Sequence, residues 1–190
     1  LGETLKEHGI SFIDAPVSGG VKRAAAGTIS IMVGGEKASI ERAQPLFQDI
    51  GDDVFECGEL GAGHALKALN NMLSALSVFA TTEALMIGKR FGLDPAVMID
   101  TINKSSGRSN ATELKFHQFI LNKDYGSGFS NGLMLKDLTI AQDLARNTGL
   151  SAPCTALVRD AFAEAVNYYG PSSDHTEVAR MLQETRKTAL

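Results

Sequence analysis

Lys67 is the residue best suited to acid/base chemistry in this sequence, because it is the single formally charged residue in a long apolar segment, 60–82. If that segment is helical, four polar side chains fall on one face at spacings of three, four and three residues: His64, Lys67, Asn71 and Ser74. An ammonium group held against apolar neighbours loses hydration, which lowers its pKa and lets it exchange protons near neutral pH. The alternative is a lysine at a helix start whose ammonium group reaches water. Asn71, one turn later, and the glycines before the helix favour the functional interpretation.

A second candidate segment is Asp14-Ala-Pro-Val-Ser-Gly-Gly20, which follows a short apolar run that is typical of a strand. In open α/β sheets, ligands bind at the carboxyl ends of strands. The hydroxyl of Ser18 and the amides of Gly19 and Gly20 could hold a carboxylate there. The competing interpretation is a plain tight turn, which is the commoner role of a Ser-Gly-Gly sequence.

Two glycines, Gly61 and Gly63, stand just before the Lys67 segment and invite comparison with the dinucleotide fingerprint G-x-G-x-x-G. Leu66 occupies the place of the third glycine, and the complete pattern occurs nowhere in the sequence. We therefore expect these glycines to let a helix start approach another backbone or a ligand. The free amides of that helix start would favour an anion.

Lys136 and Asp137 form a third candidate, because they interrupt the apolar pattern of a predicted helix that follows Phe129. Such adjacent charges are often a solvated pair on an exposed face. A lysine that reaches the phosphate or ribose of a cofactor would give the same pattern. Both interpretations remain open at this point.

Composition excludes several classes of function. The chain has 190 residues, 44% hydrophobic and 21% charged, which is typical of a soluble globular protein of one or two domains. Its formal net charge of −4, with both signs interspersed, gives no basic patch for nucleic acid or an anionic membrane surface. The cysteines and histidines are too scattered to predict a disulfide framework or a metal site.

We expect a cytoplasmic protein, because its two cysteines fit a reducing compartment and its apolar segment carries asparagines, serines and threonines that argue against a membrane span. No signal peptide is apparent. The chain opens on Leu1 in what looks like the end of a helix, so we expect a piece of a longer protein.

The pattern of elements changes near Glu59. Before it, strands are predicted at 10–13, 28–33 and 54–57, with a helix at 38–47; after it, only helices are predicted: 64–91, 95–104, 109–121, 131–148, 153–168 and 175–184. The sequence therefore predicts an α/β domain over 1–59 and an all-α domain over 60–190. A long helix that begins near the boundary joins them.

Together, these segments resemble the β-hydroxyacid dehydrogenase family, which includes 3-hydroxyisobutyrate dehydrogenase, tartronate semialdehyde reductase and L-threonate dehydrogenase. Asp14–Gly20, continued by Ala26–Gly35, is similar to the substrate-binding signature, and Gly61–Asn71 is similar to the catalytic signature. Lys136-Asp-Leu138 resembles the cofactor-contacting motif. The resemblance covers essentially the whole chain. The N-terminal half of the family's Rossmann domain, with its glycine-rich loop, has no counterpart, so we expect this piece alone to be inactive.

The resemblance implies a fold and a reaction. The fold is an α/β remnant of a Rossmann-type NAD(P)-binding domain followed by an all-α C-terminal domain like that of 6-phosphogluconate dehydrogenase. The reaction is oxidation of a small 3-hydroxy acid by NAD or NADP, with Lys67 as the catalytic residue. Its implied ligand contacts are these: Ser18, Gly19, Gly20 and Asn71 for the substrate, and Lys136 and Phe129 for the cofactor. A metal ion is not implied.

Two other interpretations remain. A 6-phosphogluconate dehydrogenase relative would typically carry a His-Asn pair after the lysine, where this chain has Asn70-Asn71, and it would need an arginine cluster that is not evident. A non-catalytic helical dimerisation module would not need Lys67 and Asn71. In each case we expect a homodimer or homotetramer, because the apolar arc of the 64–91 helix is wide enough to be covered on more than one side.

Overall fold

The computed structural model describes residues 1–51 and 53–190, which form two compact units, Leu1–Asn70 and Asn71–Leu190. Strands occur in the first unit, whereas the elements described in the second are helices. This confirms the predicted fold class of a Rossmann remnant followed by an all-α domain.

The first unit contains a small sheet. Its elements in chain order are α1 (Gly2–Glu7), β1 (Val17–Ser18), α2 (Gly20–Ala25), β2 (Ser30–Gly34), α3 (Lys37–Gln48) and β3 (Asp53–Gly58). The strand order is β1-β2-β3, with β1 antiparallel and β3 parallel to β2, so β2, α3 and β3 form a βαβ unit. Ile31 and Val33 of β2 pack with Ile40 and Phe47 of α3 to form the buried core of this unit.

The predictions for this unit are partly confirmed. The strands expected at 28–33 and 54–57 and the helix at 38–47 are present. The strand predicted at 10–13 is wrong. Among the described residues this stretch forms no strand, and the residue after it, Asp14, makes one isolated bridge to Gly34 of β2. α2 was missed, because Gly20 indicates a turn rather than the first residue of a helix.

Helix α4 (Ala62–Phe91) has 30 residues, and the boundary between the two units falls inside it, between Asn70 and Asn71. By length and composition it could cross a membrane, with a mean hydropathy of 1.2 over its most apolar stretch, of which 39% is buried. The expectation that its polar residues exclude a span therefore stays a prediction. One such helix is weak evidence, because a core helix of a soluble protein has the same properties.

The second unit is a helical bundle. After α4 come α5 (Pro95–Ile102), α6 (Asn110–Leu114), a π-helix (Phe116–Ile120), α7 (Asn131–Asn147), α8 (Pro153–Tyr169) and α9 (Glu177–Thr185). Its core is built from apolar faces of these helices, including Val78 and Leu85 of α4, Leu138 of α7 and Phe162 of α8, each 0% exposed. Asp94 caps α5, since its carboxylate accepts bonds from the amides of Ala96 and Val97.

The helix predicted over 109–121 is broken at Lys115. A capping box between Ser109 and Thr112 starts α6, and the backbone of Lys115 leaves the α region at φ −121°. The chain then continues as a π-helix, in which the amide of Leu121 donates to the carbonyl of Phe116 at 2.8 Å. Apolar periodicity alone does not distinguish such a widened turn from a regular helix.

Candidate functional site

The start of α4 is held by a buried carboxylate. Asp14 is 6% exposed, and its oxygens accept bonds from the amide of Gly61 at 2.6 Å and the amide of His64 at 2.7 Å, while the His64 Nδ1 atom lies 2.9 Å away. Burial by itself would raise the pKa of Asp14, but these amides and the ring hold that pKa below its usual range. The anion expected at this helix start is therefore a side chain of the same unit.

The glycines around this contact allow α4 to lie against β2. A Cβ atom at Gly63 would overlap the carbonyl oxygen of Met32, and one at Gly34 would lie 2.7 Å from the carbonyl oxygen of Glu59. The prediction that glycine lets the helix start approach another backbone is confirmed at Gly63. Gly63 thus has a packing role that needs no nucleotide, whereas at Gly61 the positive φ of 96° favours glycine.

Lys67 lies on α4 and is half-buried, and Asn71 follows it by four residues, one turn further along the same helix. The Asn71 Nδ2 atom donates to Asp137 Oδ2 at 2.6 Å. Lys136 pairs through Nζ with the other oxygen, Asp137 Oδ1, at 2.9 Å. One carboxylate of α7 therefore connects the proposed substrate contact Asn71 with the proposed cofactor contact Lys136.

Sequence reasoning missed the role of Asp137. The solvated-pair interpretation of Lys136 and Asp137 is wrong for the carboxylate, because the Asp137 side chain is 3% exposed, whereas that of Lys136 is 54% exposed. The signal that could have found it is periodicity, since Asp137 follows Met134 by three residues and precedes Ala141 by four, and both of these are buried.

The other predicted site residues lie in two places. Ser18 ends β1 and is paired with Ser30, while Gly19 and Gly20 lead into α2 with φ values of 138° and 63°. Positive φ at both positions favours glycine. In the second unit, Phe129 precedes α7, and its ring meets the His175 ring edge to face at 5.7 Å.

The fourth polar residue of the α4 face, Ser74, contacts a lysine that sequence reasoning did not single out. Lys115 Nζ donates to Ser74 Oγ at 2.9 Å and lies 2.9 Å from His175 Nε2. On the other side of the ring, His175 Nδ1 lies 3.1 Å from the Phe129 carbonyl oxygen. Lys115 stands four residues after buried Ala111 and five before buried Ile120, and this position on the apolar face is the signal that could have found it.

Burial changes the proton affinities of this pair. Desolvation lowers the pKa of Lys115 to about 8, although the charge of Asp174 opposes the shift. Desolvation, together with the Lys115 charge, lowers the pKa of His175 to about 4. At neutral pH, His175 is therefore neutral and its Nε2 atom accepts from Lys115, while Nδ1 donates to the Phe129 carbonyl. Within residues 1–51 and 53–190, no cluster of three or more His, Cys, Asp or Glu side chains is arranged to hold a metal ion.

Both parts of the chain match known protein families. Residues 61–182 match the family described as NAD-binding of NADP-dependent 3-hydroxyisobutyrate dehydrogenase. The chain belongs to the β-hydroxyacid dehydrogenase family. Residues 1–58 match the NAD binding domain of 6-phosphogluconate dehydrogenase, so both parts of this family member correspond to NAD-binding families.

Individual relatives agree with the family. The chain is 41% identical to 2-(hydroxymethyl)glutarate dehydrogenase of Eubacterium barkeri, over 85% of this chain and 54% of that protein. It is 34% identical to the NAD-dependent L-serine dehydrogenase of Pseudomonas aeruginosa, over 95% of this chain and 63% of that protein.

A solved structure of 3-hydroxyisobutyrate dehydrogenase from Mycobacterium tuberculosis with L-serine matches with a TM-score of 0.87 and 33% identity, over 96% of this chain and 64% of that one. The chain thus spans between about half and two thirds of these relatives.

Proposed function

We propose that this chain is part of an NAD(P)-dependent dehydrogenase that interconverts a small 3-hydroxy acid and its semialdehyde or keto form. The observation that supports the proposal is the match of residues 61–182, a range that includes Lys67 and Asn71, to a dehydrogenase family. The named substrates of the relatives share one chemistry, because hydroxymethylglutarate, hydroxyisobutyrate and serine are all acids with a primary alcohol on the carbon beta to the carboxylate.

Lys67 is the proposed acid/base residue. In oxidation, its amine accepts the proton of the substrate hydroxyl; in reduction, its ammonium group polarises the carbonyl and then donates the proton. Its half-buried position in the first turns of a long helix supports this role, because the helix fixes the direction in which the side chain leaves the backbone.

Asn71 and the segment Ser18–Gly20 are the proposed substrate contacts. Asn71 donates an amide proton to Asp137, which fixes the plane of its side chain beside the proposed position of the substrate hydroxyl or carboxylate. Ser18 offers a hydroxyl, and Gly19 and Gly20 offer amides without side chains that would block a carboxylate.

NAD or NADP is the proposed cofactor. Lys136 and Phe129 fit it, because Lys136 is half-exposed and pairs with Asp137 Oδ1, while Phe129 offers a partly buried aromatic ring just before α7. Both residues belong to the second unit. When bound, the cofactor accepts or supplies the hydride.

We assign nucleotide binding to 1–59 and the helical domain to 60–190, close to the limits of the two family matches, 1–58 and 61–182.

The proposed assembly is a homodimer or homotetramer. It is supported by apolar side chains that α4 leaves exposed at helical spacing: Leu66, Leu69, Leu73, Ile87 and Phe91. Sedimentation velocity tests this, and a monomer would contradict it.

We propose a cytoplasmic location, because the middle of α4 packs in the core of the second unit.

The test of function is turnover by the full-length protein with NAD or NADP and a panel of 3-hydroxy acids. Lys67→Ala should lower kcat by at least about two orders of magnitude, the usual contribution of a positioned acid/base group. Lys89→Ala is the matched control, since Lys89 is exposed in the last turn of the same helix. Full turnover in the Lys67 variant would contradict its role, and no turnover with any acid would favour a non-catalytic module.

A further inference from the structure

The cluster around Lys115 joins three parts of the second unit. Its ammonium group contacts Ser74 of α4 and His175 before α9, each at 2.9 Å. His175 is 2% exposed, and its backbone amide donates to the Phe129 carbonyl at 2.8 Å. Lys115 itself keeps partial exposure.

The positive charge of Lys115 has no carboxylate in contact among the described residues. Its two partners, Ser74 and His175, are neutral at pH 7. The acidic group on this side, Asp174, lies 3.5 Å from the far side of the His175 ring, and its oxygens already accept bonds from Ser127 and the Gly128 amide. Buried charges are normally paired, because an uncompensated charge away from water is costly.

Two of the three N–H bonds of this ammonium group meet protein acceptors within the described part of the chain, and the group stays partly exposed. A partly exposed ammonium group whose protein partners are neutral is suited to bind an anion.

The position of Lys115 relates this site to the proposed reaction. Ser74 follows Asn71 by three residues on α4, and residues at this spacing are neighbours on a helix surface, with Cβ atoms about 5–6 Å apart. A molecule bound at Asn71 therefore needs an extension of only a few atoms to reach Ser74 and the ammonium group beside it.

We propose that Lys115, with Ser74, binds a second carboxylate on the substrate, so that the preferred substrate is a 3-hydroxy diacid rather than a monoacid. This inference rests on the proposed function. The first carboxylate and the hydroxyl define the reaction class. Lys115 would bind the carboxylate of the substituent on the carbon between them.

The first test compares two substrates in the full-length protein: 2-(hydroxymethyl)glutarate, a diacid, and 3-hydroxyisobutyrate, a monoacid. Lys115→Met should lower the diacid to monoacid ratio of kcat/KM by about 10-fold to 100-fold, the size of a lost charge-assisted hydrogen bond. Lys104→Met, at an exposed lysine in the same unit, should leave the ratio unchanged. An equal loss on both substrates would overturn the proposal, because that is the result of a merely structural role.

A second test uses the wild-type protein and needs no turnover. The pKa of Lys115 is measured by competitive acetylation in chloride, in acetate and in glutarate at equal ionic strength. Glutarate should raise it above its value in acetate, because a bound carboxylate stabilises the ammonium form. The groups that face Lys115 are His175 and Asp174 from the segment before α9 and the neutral hydroxyl of Ser74 from α4.

The two proposals fail in different ways. A protein that turns over neither substrate but shows the glutarate effect would refute the dehydrogenase and keep the anion site. An active enzyme whose Lys115 pKa is the same in glutarate and acetate would refute the anion site alone.

Discussion

The Nδ2 atom of Asn71 lies 2.6 Å from Oδ2 of Asp137, and this bond connects α4 to α7 at the level of the proposed site. The carboxylate is almost fully buried, and its other oxygen is paired with Lys136. A buried acid with two different partners fixes both of them, so the orientation of Asn71 depends on a residue that has no proposed contact with the substrate.

Asp137→Asn should lower kcat/KM by about 10-fold to 100-fold, because the amide cannot accept from Asn71 and pair with Lys136 at the same time. The matched control is Asp143→Asn on the same helix, whose carboxylate is 55% exposed and paired with Arg146. Steady-state kinetics with both cofactor and substrate varied checks this. An Asp137 variant as active as the Asp143 variant would show that Asn71 needs no fixed partner.

Gly63→Ala should destabilise the first unit by about 2–4 kcal/mol, because the new methyl group would overlap the rigid carbonyl of Met32. Gly88→Ala is the matched control on the same helix, since its methyl group would meet the flexible end of Met98, which can move aside. Urea denaturation of the two variants measures the difference. Equal stability would mean that α4 can withdraw from β2 without cost.

The bonds to Asp14 should make the first unit sensitive to acid. Because these bonds hold its pKa below the usual range, the carboxylate contributes stability that is fully present above its unfolded pKa. That contribution is lost as pH falls through the lowered pKa of the folded state. Asp14→Asn should be less stable at neutral pH and lose less between pH 5 and 2. Asp53→Asn, at an exposed carboxylate, should follow the wild type. Parallel curves for wild type and Asp14→Asn would contradict the expectation.

The second unit should lose stability between about pH 6.5 and pH 4. His175 stays neutral in the folded state until its pKa of about 4, whereas in the unfolded chain it takes up a proton near 6.5, so falling pH favours unfolding by up to about 1.4 kcal/mol per pH unit. His175→Gln should remove this slope, and His117→Gln, at an exposed histidine beside Asp100, should keep it. Thermal denaturation across this range is the measurement, and an unchanged slope in the His175 variant would refute the assignment.

Local sequence patterns predicted most helices and strands. They failed where an element depends on a partner that lies elsewhere in the fold. Pro95 after Asp94 marks a helix start by local chemistry alone, and the structure agrees. The 10–13 stretch has the alternation of a strand, but a strand also needs a partner, and among the described residues its neighbour Asp14 bridges β2 through one residue. Alternation contains no information about that partner.

The candidate site divides in the same way. The polar face of α4 follows from spacing, and the helix over 64–91 was predicted for that reason. Asp137 and His175 were not assigned roles, because each lies far in sequence from the residue it contacts: 66 positions separate Asn71 from Asp137, and 60 separate Lys115 from His175. Such pairs are decided by packing between helices, which a single sequence does not display.

The π-helix after Lys115 allows relatives with and without this lysine and histidine to be distinguished by chain length alone. A π-turn corresponds to one additional residue within a helix, and the carbonyl of Lys115 accordingly accepts from the amides of both Phe119 and Ile120. A protein one residue shorter at this turn would continue as a regular helix, and the side chain in the place of Lys115 would be rotated by about 100° around the axis relative to the residues that follow. Chain length at this turn should therefore vary together with the presence of lysine and histidine at the two positions.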